Sequence, residues 1–420
     1  MGEYHIIGGR RLAGELAVHG SKNAILPILA ACVLNAGESR LTNCPNISDT
    51  RYTIDILQEI GCTVKREGST IIVNSATANE SEVSESLVRK MRSSIVFLGS
   101  LLARFGAAKI SYPGGCVLGL RPIDQHLKGL RQLGAQIEDE HDFLNCTAKR
   151  LIGADISLDF PSVGATENIM LAATLAEGTT TITNAAREPE IVDLATFLNA
   201  MGADIKGAGE TIIKIRGMNK LHDAEHCIMP DRIVAGTYLT AAAMTRGDIT
   251  LTNVPGGNIR QILAKLAETG CIISAKDNTI HLVAPPKLRA IRLKTSPHPG
   301  FPTDLQPQFT AMLSVANGIS IVEETVFEAR NKHIPELSRM GANIMQVNSS
   351  KTSIIEGVPH LTGGSVISHD LRGGAALILA GLTADGKTIV RPSDHVVRGY
   401  ESIEIDLRSL GANIIHTASE

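Results

Sequence analysis

The stretch Leu407-Arg-Ser-Leu-Gly411-Ala-Asn-Ile414 reads as a helix stopping and a strand starting. An apolar turn runs into glycine, the residue that takes the left-handed conformation past a helix end without strain, and apolar alternation resumes behind it. The same spacing (Leu, three residues, Gly, Ala or Cys, one residue, Ile or Val) recurs at residues 57–64, 130–137, 198–205, 266–273 and 337–344. Its glycines, at 61, 134, 202, 270, 341 and 411, lie 68 to 73 residues apart. A fixed period of this kind marks an architecture built from copies of one unit.

Working outward from each glycine completes the unit. Upstream lie Ala- and Leu-rich helical stretches such as 24–34, 94–102, 167–175 and 375–382, each followed by a short strand such as 179–183 or 248–252. Downstream, polar turns at 66–69 and 276–278 predict hairpins. One copy therefore reads strand, helix, strand, helix, strand, strand. The sixth stops at Glu420 short of its closing strand, whereas a spare strand at 14–18 precedes the first helix. The expectation is an α/β protein of two lobes with three βαβαββ copies each. Residues 21–228 form one lobe; residues 1–20 and 229–420 form the other, closed by the N-terminal strand. The polar segment 217–229 is read as the second crossover.

At 420 residues, two cores of about 200 residues fall within ordinary domain size. The longest apolar run, 24–34, is too short to span a bilayer, and no basic segment leads into an apolar signal. Seven scattered cysteines point to reduced thiols and a cytoplasmic protein. A net charge of −3 gives no general attraction to nucleic acid, so anion binding has to be local. Neither phosphate-binding glycine motif is present, and no cofactor or metal is expected. His222-Asp-Ala-Glu225-His226 matches a zinc-protease spacing, but that motif requires a helix and here falls in the crossover segment.

The copies diverge most just before their first helices. These junctions carry Lys22 and Asn23, Arg92, Ser162-Val163-Gly164, Asp231-Arg232, Asp304, and Asp370-Leu-Arg372. Helix N-termini offer free N–H groups and positive potential, and Lys22, Arg92 and Arg372 add full charges there. Capping and surface pairing are the plain alternatives. In the second copy, Pro113-Gly-Gly-Cys116 leads through Arg121-Pro122-Ile123-Asp124-Gln125, a loop whose glycines let backbone amides approach an anion. A thiol in such a positive field gains thiolate character, although a lone cysteine is more often simply buried. Arg398 enters a helix from a polar loop in the last copy, and its planar fork suits phosphate or carboxylate. Asp304, the acid of a Pro-rich junction, would stay ionised near cations and could take a proton.

These motifs, in this order over essentially all 420 residues, resemble the UDP-N-acetylglucosamine 1-carboxyvinyltransferase family of enolpyruvyl transferases. The resemblance implies an inside-out α/β barrel in each lobe and an active site in the cleft between lobes. It implies that phosphoenolpyruvate gives its enolpyruvyl group to the 3′-hydroxyl of UDP-N-acetylglucosamine through a tetrahedral ketal, opening peptidoglycan synthesis, with a thiol that fosfomycin attacks. Carried over residue by residue, Cys116 is the general acid and Asp304 accepts the hydroxyl proton. Lys22, Arg121 and Arg398 clamp phosphate, and Arg372 with Arg398 reaches the carboxylate. Asn23, Arg92, Arg121, Pro122, Ile123, Asp124, Gln125, Ser162, Val163, Gly164, Asp304 and Val326 line the nucleotide-sugar, and Asp370 positions its neighbours. Two places depart from the family pattern, Phe160-Pro161 and Ala329-Arg330-Asn331-Lys332. The rival readings are a 5-enolpyruvylshikimate-3-phosphate synthase, which lacks this thiol, and a nucleic-acid clamp, whose inner helices would be basic where these are apolar.

Overall fold

The computed structural model describes residues 2–114, 123–140 and 142–418. Cys116, Arg121 and Pro122 lie outside the described residues.

The repeat motif folds the same way six times. Gly61, Gly134, Gly202, Gly270, Gly341 and Gly411 all have φ between 92° and 100°. In each copy the N–H of the residue after the glycine donates back to the carbonyl of the motif leucine, as in Cys62 to Leu57 at 2.9 Å and Ala412 to Leu407 at 2.9 Å. This closure satisfies carbonyls that the helix end leaves open. The strand that follows joins a sheet of its own copy, and among the described residues six sheets result, five of four strands and one of three.

The described residues divide into two compact units, one made of residues 20–114 and 123–229, the other combining the N-terminal residues through His19 with those from Pro230 onward. Each has a separate apolar core. The first is built around Ile25, Leu29, Leu98, Ile169 and Leu198, the second around Tyr238, Leu239, Phe309, Leu377 and Leu379. The helices Lys22–Ala31, Val163–Thr174, Arg232–Met244 and Leu371–Thr383 are buried almost all round. A helix buried on every side has no need of a polar face, which is why these segments read as Ala- and Leu-rich runs.

Strand pairing corrects the expected closure of the last copy. The predicted strand appears as Ala13–Ala17, yet it pairs in parallel with Asp248–Thr252 in the fourth copy's sheet. The sixth sheet is completed instead by Glu3–Ile7, antiparallel to both Lys387–Arg391 and Asn413–Thr417. The segment 217–229 is likewise more than a linker, because Ala224–Cys227 pairs in parallel with Glu38–Thr42 of the first sheet. The first and fourth copies thus exchange leading strands. Ala13–Ala17 runs on into the first copy's helix but pairs in the fourth copy's sheet, and Ala224–Cys227 does the reverse. Among the described residues the second copy's sheet has three strands, with a single parallel bridge between Glu82 and Lys109 where the other copies have a leading strand.

Candidate active site

In the unit from Gly20 to Met229, the junction residues gather around helix starts. Gly20 is required by close approach, since a Cβ there would lie 1.8 Å from the carbonyl oxygen of Asn43. The Ser21 N–H donates to Met229 at 2.7 Å and launches the helix Lys22–Ala31. Lys22 is buried, its Nζ 2.7 Å from Asp49 Oδ2 in the first turn of Ser48–Glu59. The Coulomb attraction of this pair opposes the cost of taking an ammonium out of water. The same helix packs against the 3₁₀ turn Arg92–Val96, which brings Asn23 and Arg92 onto neighbouring elements.

The Ser162 loop is built by side chains from the preceding copy. Gln125 Oε1 accepts from the N–H groups of Asp159 at 2.9 Å and Phe160 at 3.3 Å. Ser162 caps Val163–Thr174, its Oγ accepting from Ala165 at 3.4 Å. A Cβ on Gly164 would sit 3.0 Å from the His126 ring, which itself contacts Asn168 at 3.1 Å. Ile123 and Asp124 begin the helix that carries Gln125 and His126. Below this loop Glu167 is buried. Burial pushes its carboxyl well above the usual range, and the charges of Glu190 and Glu188 add to the rise.

The other unit assembles a charge cluster around Asp304. This residue sits in the 3₁₀ turn Thr303–Leu305 with a quarter of its side chain exposed. Arg330 Nη2 donates to Oδ1 at 2.7 Å, while Arg372 donates through Nε at 3.2 Å and Nη2 at 3.0 Å to Oδ2. Burial alone would raise the Asp304 carboxyl; the guanidinium of Arg372, then that of Arg330, outweighs it and holds the group far below the ordinary carboxylate range. Both arginines are almost completely buried. Asp370 caps Leu371–Thr383, Oδ1 accepting from the N–H of Arg372 at 3.0 Å and of Gly373 at 2.9 Å, and so aims the arginine. The Tyr400 ring lies 5.8 Å from the Arg372 guanidinium. Arg398 ends the turn Val396–Arg398; burial, then the charge of Arg398, lowers the neighbouring His395 imidazole.

Sequence reasoning singled out neither Asp49 nor Glu324, and marked Arg330 only as part of a departure from the family pattern. Asp49 faces Lys22, and Arg330 faces Asp304. Glu324 bridges two loops, accepting from Thr303 at 2.9 Å and from the N–H groups of Val326 at 2.8 Å and Phe327 at 3.0 Å, which ties Val326 to the Asp304 turn. The zinc-like motif is occupied structurally. His226 lies in a strand and its Nε2 is 3.0 Å from Asp193, while His222 Nδ1 is 3.0 Å from the Asp223 carbonyl. No helix among the described residues is long and apolar enough to cross a membrane.

Taken separately, the unit from Gly20 to Met229 offers a buried ammonium at a helix start, and the other unit offers a carboxylate clamped by two buried arginines, groups of the kind that bind anions. Residues 6–407 match the family model for EPSP synthase (3-phosphoshikimate 1-carboxyvinyltransferase). The chain is 52% identical to UDP-N-acetylglucosamine 1-carboxyvinyltransferase 2 of Caldanaerobacter subterraneus subsp. tengcongensis, with 99% of each covered. It is 49% identical to UDP-N-acetylglucosamine 1-carboxyvinyltransferase of Halothermothrix orenii, again over 99% of each. Among solved structures it resembles the enolpyruvyl transferase NikO from Streptomyces tendae, at TM-score 0.88 and 27% identity over 100% of this chain and 99% of that one. The EPSP synthase of Acinetobacter baumannii matches with TM-score 0.78 and 18% identity over the whole of both chains, a likeness of fold.

Proposed function

The chain belongs to the UDP-N-acetylglucosamine 1-carboxyvinyltransferase family, and from that premise we propose the reaction and the part each residue takes in it. The enolpyruvyl group of phosphoenolpyruvate passes to the 3′-hydroxyl of UDP-N-acetylglucosamine and phosphate is released. This is the committing step toward peptidoglycan, carried out in the cytoplasm on small-molecule substrates and with no cofactor. The observation that carries the reading is the 52% identity, spread over nearly the full chain, to a protein of that name.

Chemically, the enol carbon C3 must gain a proton while the sugar oxygen bonds to C2. Cys116 supplies the proton, and Asp304 takes the one leaving the hydroxyl. The tetrahedral ketal then loses a proton from C3 and phosphate from C2, restoring the double bond. Lys22, Arg121 and Arg398 hold the phosphate, and Arg372 with Arg398 holds the carboxylate; each charge-assisted contact is worth about 1.5–3 kcal/mol. Asn23, Arg92, Arg121, Pro122, Ile123, Asp124, Gln125, Ser162, Val163, Gly164, Asp304 and Val326 line the nucleotide-sugar, and Asp370 keeps Arg372 aimed. The six sheets correspond, on this reading, to six βαβαββ copies arranged as an inside-out α/β barrel in each unit.

The deciding experiment is phosphate release from phosphoenolpyruvate with UDP-N-acetylglucosamine as acceptor, run beside shikimate 3-phosphate. Turnover with the nucleotide-sugar alone is expected. Turnover with shikimate 3-phosphate alone would replace this reading with that of an EPSP synthase, to which the family model lends its name but solved relatives lend only fold.

A further inference from the structure

We infer that Arg330 is a positioning residue for the transfer, holding one oxygen of Asp304 in place so that Arg372 can release the other and take the substrate carboxylate. The inference rests on the substrate assignment above. Its geometric basis is a division of labour between the two guanidiniums. Arg330 spends one N–H on Oδ1, whereas Arg372 spends two on the same oxygen, Oδ2. Two donors on one oxygen do not use the parallel fork by which arginine best grips a carboxylate. Arg372 keeps a further amine, Nη1, buried and without a hydrogen-bond partner. A bidentate anion arriving at the Nη edge offers Arg372 a better fit than its present one. Arg330 also leaves one nitrogen, Nε, buried and without a hydrogen-bond partner, but its bond from Nη2 to Oδ1, at 2.7 Å, is the shortest of the three that hold Asp304. It is 2% exposed, its guanidinium lies 5.4 Å from the Phe327 ring, and His333 stands beside it with an imidazole lowered to about 4 by burial and by Arg330 itself, against the pull of Asp370.

The consequence is a base that gains strength when phosphoenolpyruvate binds. With both guanidiniums in place Asp304 is too weak to accept a proton. Once Arg372 turns to phosphoenolpyruvate, Oδ2 is released and Oδ1 stays pinned. The 3′-hydroxyl proton then passes to Oδ2 as the sugar oxygen bonds to C2 and C3 receives its proton from the general acid. Asp304 gives that proton to water when phosphate departs. The other charged and titratable groups facing this cluster are Asp370 and Tyr400, both beside Arg372, with Asp231 on the helix start opposite, His333, and Glu324 through Thr303.

The test uses the full chain, with Arg330→Gln and Arg330→Lys compared by kcat, KM for phosphoenolpyruvate and the acid limb of the kcat–pH profile. Losing a cation beside a carboxylate raises its pKa, so the glutamine variant moves the acid limb up by about one pH unit or more and lowers kcat at least about tenfold, with KM changed less than about threefold. Lysine restores the charge without the fork, which returns the limb to within about half a unit of wild type but leaves kcat depressed. A folded glutamine variant whose acid limb stays where it was overturns the inference, whatever happens to kcat. If the glutamine variant does not fold, the lysine variant decides: lowered kcat supports positioning, and full kcat rejects it. Failure of the substrate assignment shows separately, as wild-type enzyme that releases no phosphate.

Discussion

Lys22 Nζ lies 2.7 Å from Asp49 Oδ2, and neither side chain keeps more than a tenth of its surface in water. The ammonium assigned to the substrate phosphate is therefore held by a carboxylate from the next helix before any substrate arrives. Removing the acid of such a pair takes a charged partner from a buried ammonium, which costs about 3 kcal/mol or more. Asp49→Ala is expected to melt roughly 6–12 °C lower, given about 2–4 °C per kcal/mol in domains of this size. It should also raise KM for phosphoenolpyruvate, because Lys22 loses its aim. Calorimetry and steady-state kinetics check both; an unchanged melting temperature would show that the contact contributes nothing net.

Cys116→Ser is expected to lose most turnover, since a hydroxyl is a far weaker acid than a thiol and general acids contribute about 10²–10⁴-fold. Cys116→Asp retains a group able to protonate C3 and should keep measurable activity. It should also resist fosfomycin, whereas the wild type is expected to be inactivated through its sulfur. Full activity in the serine enzyme would remove the thiol from the proton transfer.

Much of this fold was legible because its signal is local. The six glycines reveal themselves by spacing, and each takes the left-handed conformation that a helix end of this kind requires. The junctions carrying Lys22, Asp304 and Arg372 stood out because the otherwise similar copies diverge most there, with charged residues at the mouths of apolar helices. What escaped was non-local. Nothing near residues 3–7 or 224–227 announces a partner strand some 185 to 410 residues away in sequence. Asp49, Glu324 and Arg330 look like ordinary surface charges until the fold turns them inward beside Lys22, Thr303 and Asp304. Pattern along a chain reports which face is buried, but which buried charges meet is decided by packing between copies.

Glu167 gives a pH signature in the unit that holds Lys22. Its folded carboxyl is raised, by burial first and then by Glu190 and Glu188. The folded state therefore prefers the proton, and the stabilising effect is complete only below the unfolded value near 4.3. As pH climbs from there toward the folded value, stability drains away. Glu167→Gln keeps the shape and removes the titration, so its melting temperature relative to wild type should increase from pH 4.5 to pH 7.5. A difference that does not change with pH would mean that Glu167 titrates normally.

Two glycines separate conformational strain from steric collision. Gly341 sits at φ 92° with nothing within 4 Å of an added Cβ, so Gly341→Ala meets strain alone. The cost is about 1–2 kcal/mol, the ordinary penalty of a left-handed alanine, and activity should survive. Gly20 has no unusual φ, yet a Cβ would lie 1.8 Å from a backbone oxygen of Asn43. Backbone cannot yield as a flexible side chain does, and Asn43 is itself anchored, its Nδ2 donating to Ile228 at 2.8 Å. Gly20→Ala must therefore displace the segment that launches the Lys22 helix, or unfold it. It should cost more stability than Gly341→Ala and lower activity even where the protein remains folded. Chemical denaturation with parallel turnover assays ranks the two, and the reverse order would mean that the Gly20 turn is far softer than its contacts imply.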